Sequence, residues 1–242
     1  MESDSSPLDL DSTSMRGCAV PAAASALGAT ADNLEWHNEL GGMTFNLGDR
    51  FVKWNPRCTG LDLRRERKRL DWLAGRHPAP RVITWDEDNE AQWMVTEALP
   101  GESAVGDTWR ARTSEAITVI AHGLRELHLV PIADFPAEWP DEVWAGRSVA
   151  SLGSPPPVDG PVLVHGDACA PNTLIDRHGT WVGHVDLGDL TVGDRWADLA
   201  IASMSLDWNF GPGHQDEFFG LYGVDPDPER SHYYRELWRL ES

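Results

Sequence analysis

His165-Gly166-Asp167-Ala168-Cys169-Ala170-Pro171-Asn172, followed by Val185-Asp186-Leu187-Gly188, sets a carboxylate, a carboxamide and a second carboxylate within a span of twenty positions. Oxygen donors at such intervals suit phosphoryl transfer, a reaction in which the protein aligns reactants and neutralises charge more than it forms bonds. Asp167 has the type and place to accept or orient the proton of an acceptor hydroxyl. Asn172, five positions later, and Asp186 are suited to share a hard divalent cation, magnesium, which prefers oxygen ligands. Taken singly, Asp167 also fits a turn aspartate after a glycine, and Asn172 fits a cap. The three together are what phosphoryl transfer predicts.

The flanking residues predict the elements that would bring them together. Pro161-Val162-Leu163-Val164 reads as a short buried strand running into the Asp167 loop. Thr173 to Asp176 and Trp181 to Val185 read as a hairpin around Arg177-His178-Gly179, which carries Asp186 back beside Asn172.

The stretches His165 to Asn172 and Val185 to Gly188 resemble the catalytic and metal loops of the aminoglycoside phosphotransferases, most of all the 3'-phosphotransferase branch. The likeness extends from about Leu34 onward. It implies an α+β, protein-kinase-like two-lobed fold, with a small antiparallel-sheet N-lobe and a mainly helical C-lobe. Under that resemblance residues 1–30 are a flexible tail, 31–97 a nucleotide-binding N-lobe, 98–102 a hinge and 103–242 a catalytic and substrate-binding C-lobe. It further implies ATP or GTP and Mg2+ as the reaction's companions, and transfer of the terminal phosphate to a hydroxyl of a small cationic acceptor, which inactivates an antibiotic.

The resemblance also calls for a strand lysine paired to a glutamate on the next helix. Phe51-Val52-Lys53-Trp54 supplies the lysine. From Leu61 to Ala74 the periodicity is helical, with Leu63, Leu70 and Leu73 on one face and Glu66 on that same face. A carboxylate on an apolar stripe needs a cation, because desolvating it unpaired costs several kcal/mol. Lys53 would supply one; Arg69 or Lys68 in water is the other arrangement the spacing allows. The likeness gives Lys53 and Glu66 the phosphate-binding roles, and gives the base contacts to the main chain of Glu97 and Ala98. Those two residues close the strand candidate Trp93 to Glu97, before the breaker Leu99-Pro100-Gly101-Glu102. Asn38 to Met43, with Gly41-Gly42, would cover the phosphates, although any hairpin turn uses two glycines.

Composition is compatible with these expectations. A chain of 242 residues suits one kinase-like unit of two lobes. Cys18, Cys58 and Cys169 form neither a disulfide framework nor a zinc pattern, so a reducing cytoplasm is expected. No run reaches the length of a membrane span, and the apolar stretch Cys18 to Ala29 follows acidic rather than basic residues, unlike a secretory signal. Met1 to Ser14 reads as disordered. With 39 acidic and 20 basic residues the formal charge is −19, which repels nucleic acid and attracts a small polycation. The same charge also serves merely to keep a protein dispersed. A monomer or weak dimer is expected. The twelve tryptophans are scattered, as packing residues are.

Helical periodicity runs through Ile117, Ile120, Ala121, Leu124 and Leu127, through Ala197 to Leu206, and through Glu217 to Tyr222 up to Gly223. In Asp194-Arg195-Trp196-Ala197-Asp198 the acidic residues resemble the family's third motif, which braces the catalytic loop; helix capping by Asp194 accounts for it equally. His128 and His184 read as structural. The acceptor side departs from the 3'-phosphotransferase pattern. Asp189 stands where those enzymes carry Arg, Met204-Ser205 where they carry Arg-Asp, and Arg235 to Arg239 near their terminal acidic pair. The segment between His128 and Pro161 is also short. Asp134, Glu138, Asp141 and Glu142 in it are candidate ammonium contacts or solvated loop charges. Two other readings therefore stay open: a kinase for another small alcohol (a sugar, a choline-like alcohol or a peptide antibiotic), and a catalytically inactive kinase-like binding protein.

Overall fold

The computed structural model describes residues 19–60, 62–136, 138–139, 152–158 and 160–241. The chain divides into two compact units, one formed by residues 1–71 with 80–98 and the other by 72–79 with 99–242.

The smaller unit is built on a five-stranded sheet. Its strands are β1 (Leu34–His37), β2 (Met43–Asn46), β3 (Arg50–Pro56), β4 (Val82–Glu87) and β5 (Ala91–Glu97), in spatial order β1-β2-β3-β5-β4 and antiparallel at each pairing. The central strands alternate inward and outward. Met43 and Phe45 on β2 and Val52 on β3 are buried, while Lys53 falls on the opposite face. The edge strands β1 and β4 are largely exposed and have no buried face to alternate with, although Val82-Ile83-Thr84-Trp85 of β4 are strand-forming residue types. A helix, Leu63–Leu73, follows β3 and buries Leu63, Leu70 and Leu73, the three leucines of the expected stripe.

The flexible tail expected through residue 30 ends sooner. A short helix α1, Ala22–Ala26, brings Ala24 and Ala29 into the core with Phe45, Val52 and Val95. Small side chains there let the backbone lie close to the sheet. Met1 to Ser14 and Cys18 lie outside the described residues. The helix Leu63–Leu73 is α2.

The larger unit is mainly helical, and the expected α+β division holds. Its helices are α3 (Asp107–Arg110), α4 (Thr113–His128), α5 (Arg195–Phe210), α6 (Gln215–Tyr222) and α7 (Pro228–Glu241). Two small sheets carry the loops of interest. One has the order β6-β8-β9, from β6 (Glu102–Ser103), β8 (Thr173–Ile175) and β9 (Trp181–His184); the other pairs β7 (Pro161–Val164) antiparallel with β10 (Thr191–Asp194). The core joins Ile117, Ile120 and Leu124 of α4 to Trp196 and Leu199 of α5, Phe218 of α6 and Tyr234 of α7. Asp194 starts α5 by accepting the Trp196 N–H at 3.0 Å. Gly223, at φ 98°, ends α6 in the left-handed conformation that glycine adopts without strain. Ile117 is fully buried where these helices meet. Ile117→Ala should destabilise the larger unit by about 2–5 kcal/mol, read as a fall in its urea midpoint.

Candidate active site

β7 is pinned by the fully buried Leu163 and Val164 and delivers His165, Gly166 and Asp167 at its end. The Asp198 carboxylate, itself without solvent exposure, accepts the N–H of His165 at 2.7 Å and of Gly166 at 3.1 Å. Gly166 sits at φ +88°, and a Cβ there would lie 2.6 Å from the carbonyl oxygen of Asp189. Only glycine lets the loop lie that close to the turn carrying Asp189. His165 accepts the Asp167 N–H on Nδ1 at 3.3 Å and so carries its proton on Nε2, which donates to the Val185 carbonyl at 3.0 Å.

The hairpin β8–β9 closes the arrangement. Thr173 pairs with His184, and the Val185 N–H donates to the Asn172 carbonyl at 3.0 Å, so the residue before Asp186 is bonded to Asn172. The Asn172 amide nitrogen donates to the Asp167 carbonyl at 3.0 Å and to Asp167 Oδ2 at 3.1 Å. That leaves the amide oxygen of Asn172 as the group suited to a cation. Asp167 Oδ1 is buried and has no hydrogen-bond partner among the described residues. Asp186 is exposed and lies at φ 59°, ψ 50°, the one non-glycine residue with positive φ among those described. Such a conformation costs on the order of 1 kcal/mol or more and persists where neighbours impose it. Burial pushes the Asp167 carboxyl above the usual carboxylate range; the charges of Asp186 and Asp189 push the same way, opposed by the Cys169 thiol and His165.

An all-oxygen donor set beside a crowd of carboxylates fits magnesium, which takes one or two carboxylates and leaves its other positions to water and phosphate. Among the described residues no group of three His, Cys, Asp or Glu gathers to hold a metal alone.

In the smaller unit the Lys53 ammonium lies 2.7 Å from Glu66 Oε1, with both side chains largely buried. β3 points Lys53 outward from the core face and α2 supplies the carboxylate from its first turn. Glu97 ends β5. Its N–H donates to the Arg81 carbonyl at 2.9 Å and its side chain pairs with Arg81, while the Ala98 N–H donates to Asp49 O at 3.0 Å. Both amides therefore serve the sheet. The Gly41-Gly42 turn is closed by Asn38, whose side chain accepts the Gly42 N–H at 2.7 Å.

The family model described as "Phosphotransferase enzyme family" matches residues 24–151 and 150–234. The chain belongs to that family. It is 32% identical to an aminoglycoside 3'-phosphotransferase of Streptomyces fradiae over 75% of this chain and 81% of that one. Identity to a streptomycin 3''-kinase of Streptomyces griseus is 31%, over 82% and 88% of the two chains. The crystal structure of a type VIII aminoglycoside-3'-phosphotransferase superposes with a TM-score of 0.68 at 28% identity, covering 89% of this chain and 96% of that one.

Several groups that hold this phosphotransferase's loops are not evident from sequence. His128, which reads there as structural, donates from Nε2 to Asp198 Oδ2 at 3.0 Å and meets the Tyr222 hydroxyl through Nδ1 at 2.7 Å. Burial first, with the Asp198 charge behind it, pushes the Tyr222 hydroxyl up to about 12, which keeps it a donor. Ser205 accepts the Ala170 N–H at 2.9 Å and so holds the middle of the Asp167–Asn172 loop with a neutral hydroxyl. Among the candidate ammonium contacts, Asp134 is taken by Arg76 at 2.6 Å and Glu138 is exposed; Asp141 and Glu142 lie outside the described residues.

His77 and His184 form a buried pair, Nε2 to Nδ1, at 3.0 Å. Burial, then the nearby His165 and His128, brings His77 from 6.5 down to about 3, and burial likewise holds His184 far below the ordinary range. The unfolded chain therefore takes up protons below about pH 6.5 that the folded one refuses until about pH 3. Stability present above pH 6.5 should be lost as pH falls through that window. The expected loss from His77 alone is on the order of 4 kcal/mol at the acid end. Urea midpoints measured from pH 7 to pH 4 should fall, and less steeply in His77→Leu/His184→Phe.

Proposed function

We propose that the chain transfers the terminal phosphate of ATP or GTP to a hydroxyl of an aminoglycoside-like, cationic small molecule, with Asp167 as the catalytic carboxylate. The observation that carries the reading is the Asp167 carboxylate: one oxygen is fixed by Asn172 and the other is buried with no hydrogen-bond partner among the described residues. A buried acceptor with no donor is ready for a substrate hydroxyl. That hydroxyl oxygen bonds to the terminal phosphorus as its proton passes to Asp167, and the bond to the bridging oxygen breaks to release the nucleoside diphosphate.

Asn172 and Asp186 are the proposed holders of Mg2+. When bound, magnesium supplies positive charge to the phosphate oxygens. In the smaller unit Lys53, oriented by Glu66, is the proposed phosphate-binding cation. The base contacts are assigned to the main chain of Glu97 and Ala98. Since both amides donate within the sheet, an adenine amino group would find their carbonyls the readier partners.

The acceptor class follows from the relatives, whose names specify aminoglycosides and streptomycin, and from the charge of −19. A net negative field draws in a polycation and works against nucleic acid as a partner. Among the described residues no helix is long and apolar enough to cross a membrane.

A panel of kanamycin-like and streptomycin-like acceptors and non-aminoglycoside alcohols, scored with radiolabelled nucleotide, tests the reading. Magnesium-dependent label should move to an aminoglycoside hydroxyl, and label found only on other alcohols would overturn the acceptor class. Asp167→Ala should lower turnover by about a thousandfold or more, with magnesium-nucleotide affinity within about threefold of the parent. Asp186→Ala should weaken both, checked by calorimetry alongside the kinetics.

A further inference from the structure

Aspartate enters the left-handed region more readily than most residues but still at some cost, and the neighbours of Asp186 show what steadies it there. β9 is an edge strand whose free side is covered by residues 77 and 78. The His184 N–H donates to the Pro78 carbonyl at 3.2 Å. Gly183 lies so close that a Cβ would stand 2.6 Å from that same carbonyl. On the side chains, His77 Nε2 meets His184 Nδ1 at 3.0 Å, with the ring planes 2° apart. His184 also packs edge-on against His165, whose Nε2 holds the Val185 carbonyl.

Two apolar side chains would fill this buried place with no need of hydrogen bonds. The histidines instead leave His184 Nε2 buried with no partner among the described residues. A buried polar pair is costly unless its bond is made, and what it adds over an apolar contact is direction. One hydrogen bond between nearly parallel rings fixes the height and tilt of the strand end two residues before Asp186.

We infer that His77 and His184 are positioning residues for the Asp186 loop, their mutual hydrogen bond holding the end of β9 so that Asp186 keeps its left-handed backbone. The inference rests on the reading of Asp186 as a metal-holding carboxylate. His77 acts from outside the loop, through His184, and touches no reacting atom.

The test is a double-mutant cycle on the full chain, with His77→Leu, His184→Phe, the pair combined, and His77→Gln. Each apolar single variant leaves one ring nitrogen or its partner unpaired, whereas the double variant removes both polar groups. Magnesium-nucleotide affinity by calorimetry should fall about tenfold in each single variant and by about the same factor, not its square, in the double, because either change already breaks the bond. His77→Gln, which keeps a side-chain donor and acceptor, should stay near the parent. Hydrogen–deuterium exchange of residues 181–188 in the free protein should speed up in the singles and in the double alike. KM for the acceptor should hold within about twofold throughout. Unchanged exchange and affinity in the singles, losses in the double equal to the sum of the singles, or a double with parental exchange and affinity would overturn the inference. If a single variant does not fold, the double and His77→Gln decide: a double variant with parental stability and parental binding, or a tenfold loss in His77→Gln, would also overturn it. A parent that binds nucleotide without magnesium would instead sink the metal role of Asp186, while the exchange measurement still reads the positioning.

Discussion

The carboxylate of Asp198 has no access to water, and most of the catalytic geometry in the larger unit follows from that. An unpaired carboxylate in such a place would cost several kcal/mol. Among the described residues its donors are the N–H groups of His165 and Gly166 and the Nε2–H of His128. Two of the three come from the loop that carries Asp167, so the loop cannot shift without stranding the charge. The position of Asp167 is thus enforced by the penalty for breaking contacts more than by the strength of any one. Asp198 is in turn fixed by α5, whose Trp196, Leu199 and Ala200 are buried in the helical core.

What was legible in the sequence had a period or a constrained chemistry. The leucine stripe of α2 placed Glu66, and the β8–β9 hairpin announced itself through Arg177-His178-Gly179 between apolar runs. Asp167, Asn172 and Asp186 were legible because three oxygen donors at those intervals have few other uses. The edge strands β1 and β4 were not read, because their exposed faces carry no buried alternation, although Val82 to Trp85 did offer strand-forming residue types. β10 and α7 were also missed. β10 is a four-residue segment defined by its pairing with β7, and α7 mixes charged residues with Tyr233, Tyr234 and Leu237 so closely that its mean hydropathy hides the buried face. His128, Tyr222 and Ser205 act on groups 70, 94 and 35 positions away in the chain, respectively Asp198, His128 and Ala170. No local pattern encodes such distances.

The larger unit concentrates like charge where the cation is proposed. Asp186 and Asp189 both raise the Asp167 carboxyl, which burial has already raised. Left alone, that crowding favours a proton on Asp167, the form that cannot accept one from a substrate. A divalent ion among the carboxylates would reverse the balance by favouring their charged forms. A metal held there would thus serve two groups, neutralising phosphate charge and keeping the carboxylate proposed as base ionised.

Transfer and recognition place different demands on residues, and the pattern of departures follows that difference. An in-line displacement tolerates little misplacement of Asp167, and the groups that hold its loop are satisfied in detail, with Ser205 bonding Ala170 by a neutral hydroxyl. Attraction of a polycation is a sum over many charges, felt across roughly 8–10 Å at physiological salt, and no single carboxylate is indispensable to it. Near the chain's end, Arg235 is turned into the protein, donating to Ser203 Oγ and Gln215 Oε1 at 2.9 Å each, where it ties α7 to α5 and α6. An arginine so engaged stabilises the packing behind the loop and presents little of its charge to an approaching cation. A change of residue type on the acceptor side can thus be absorbed by the fold while the transfer machinery stays intact.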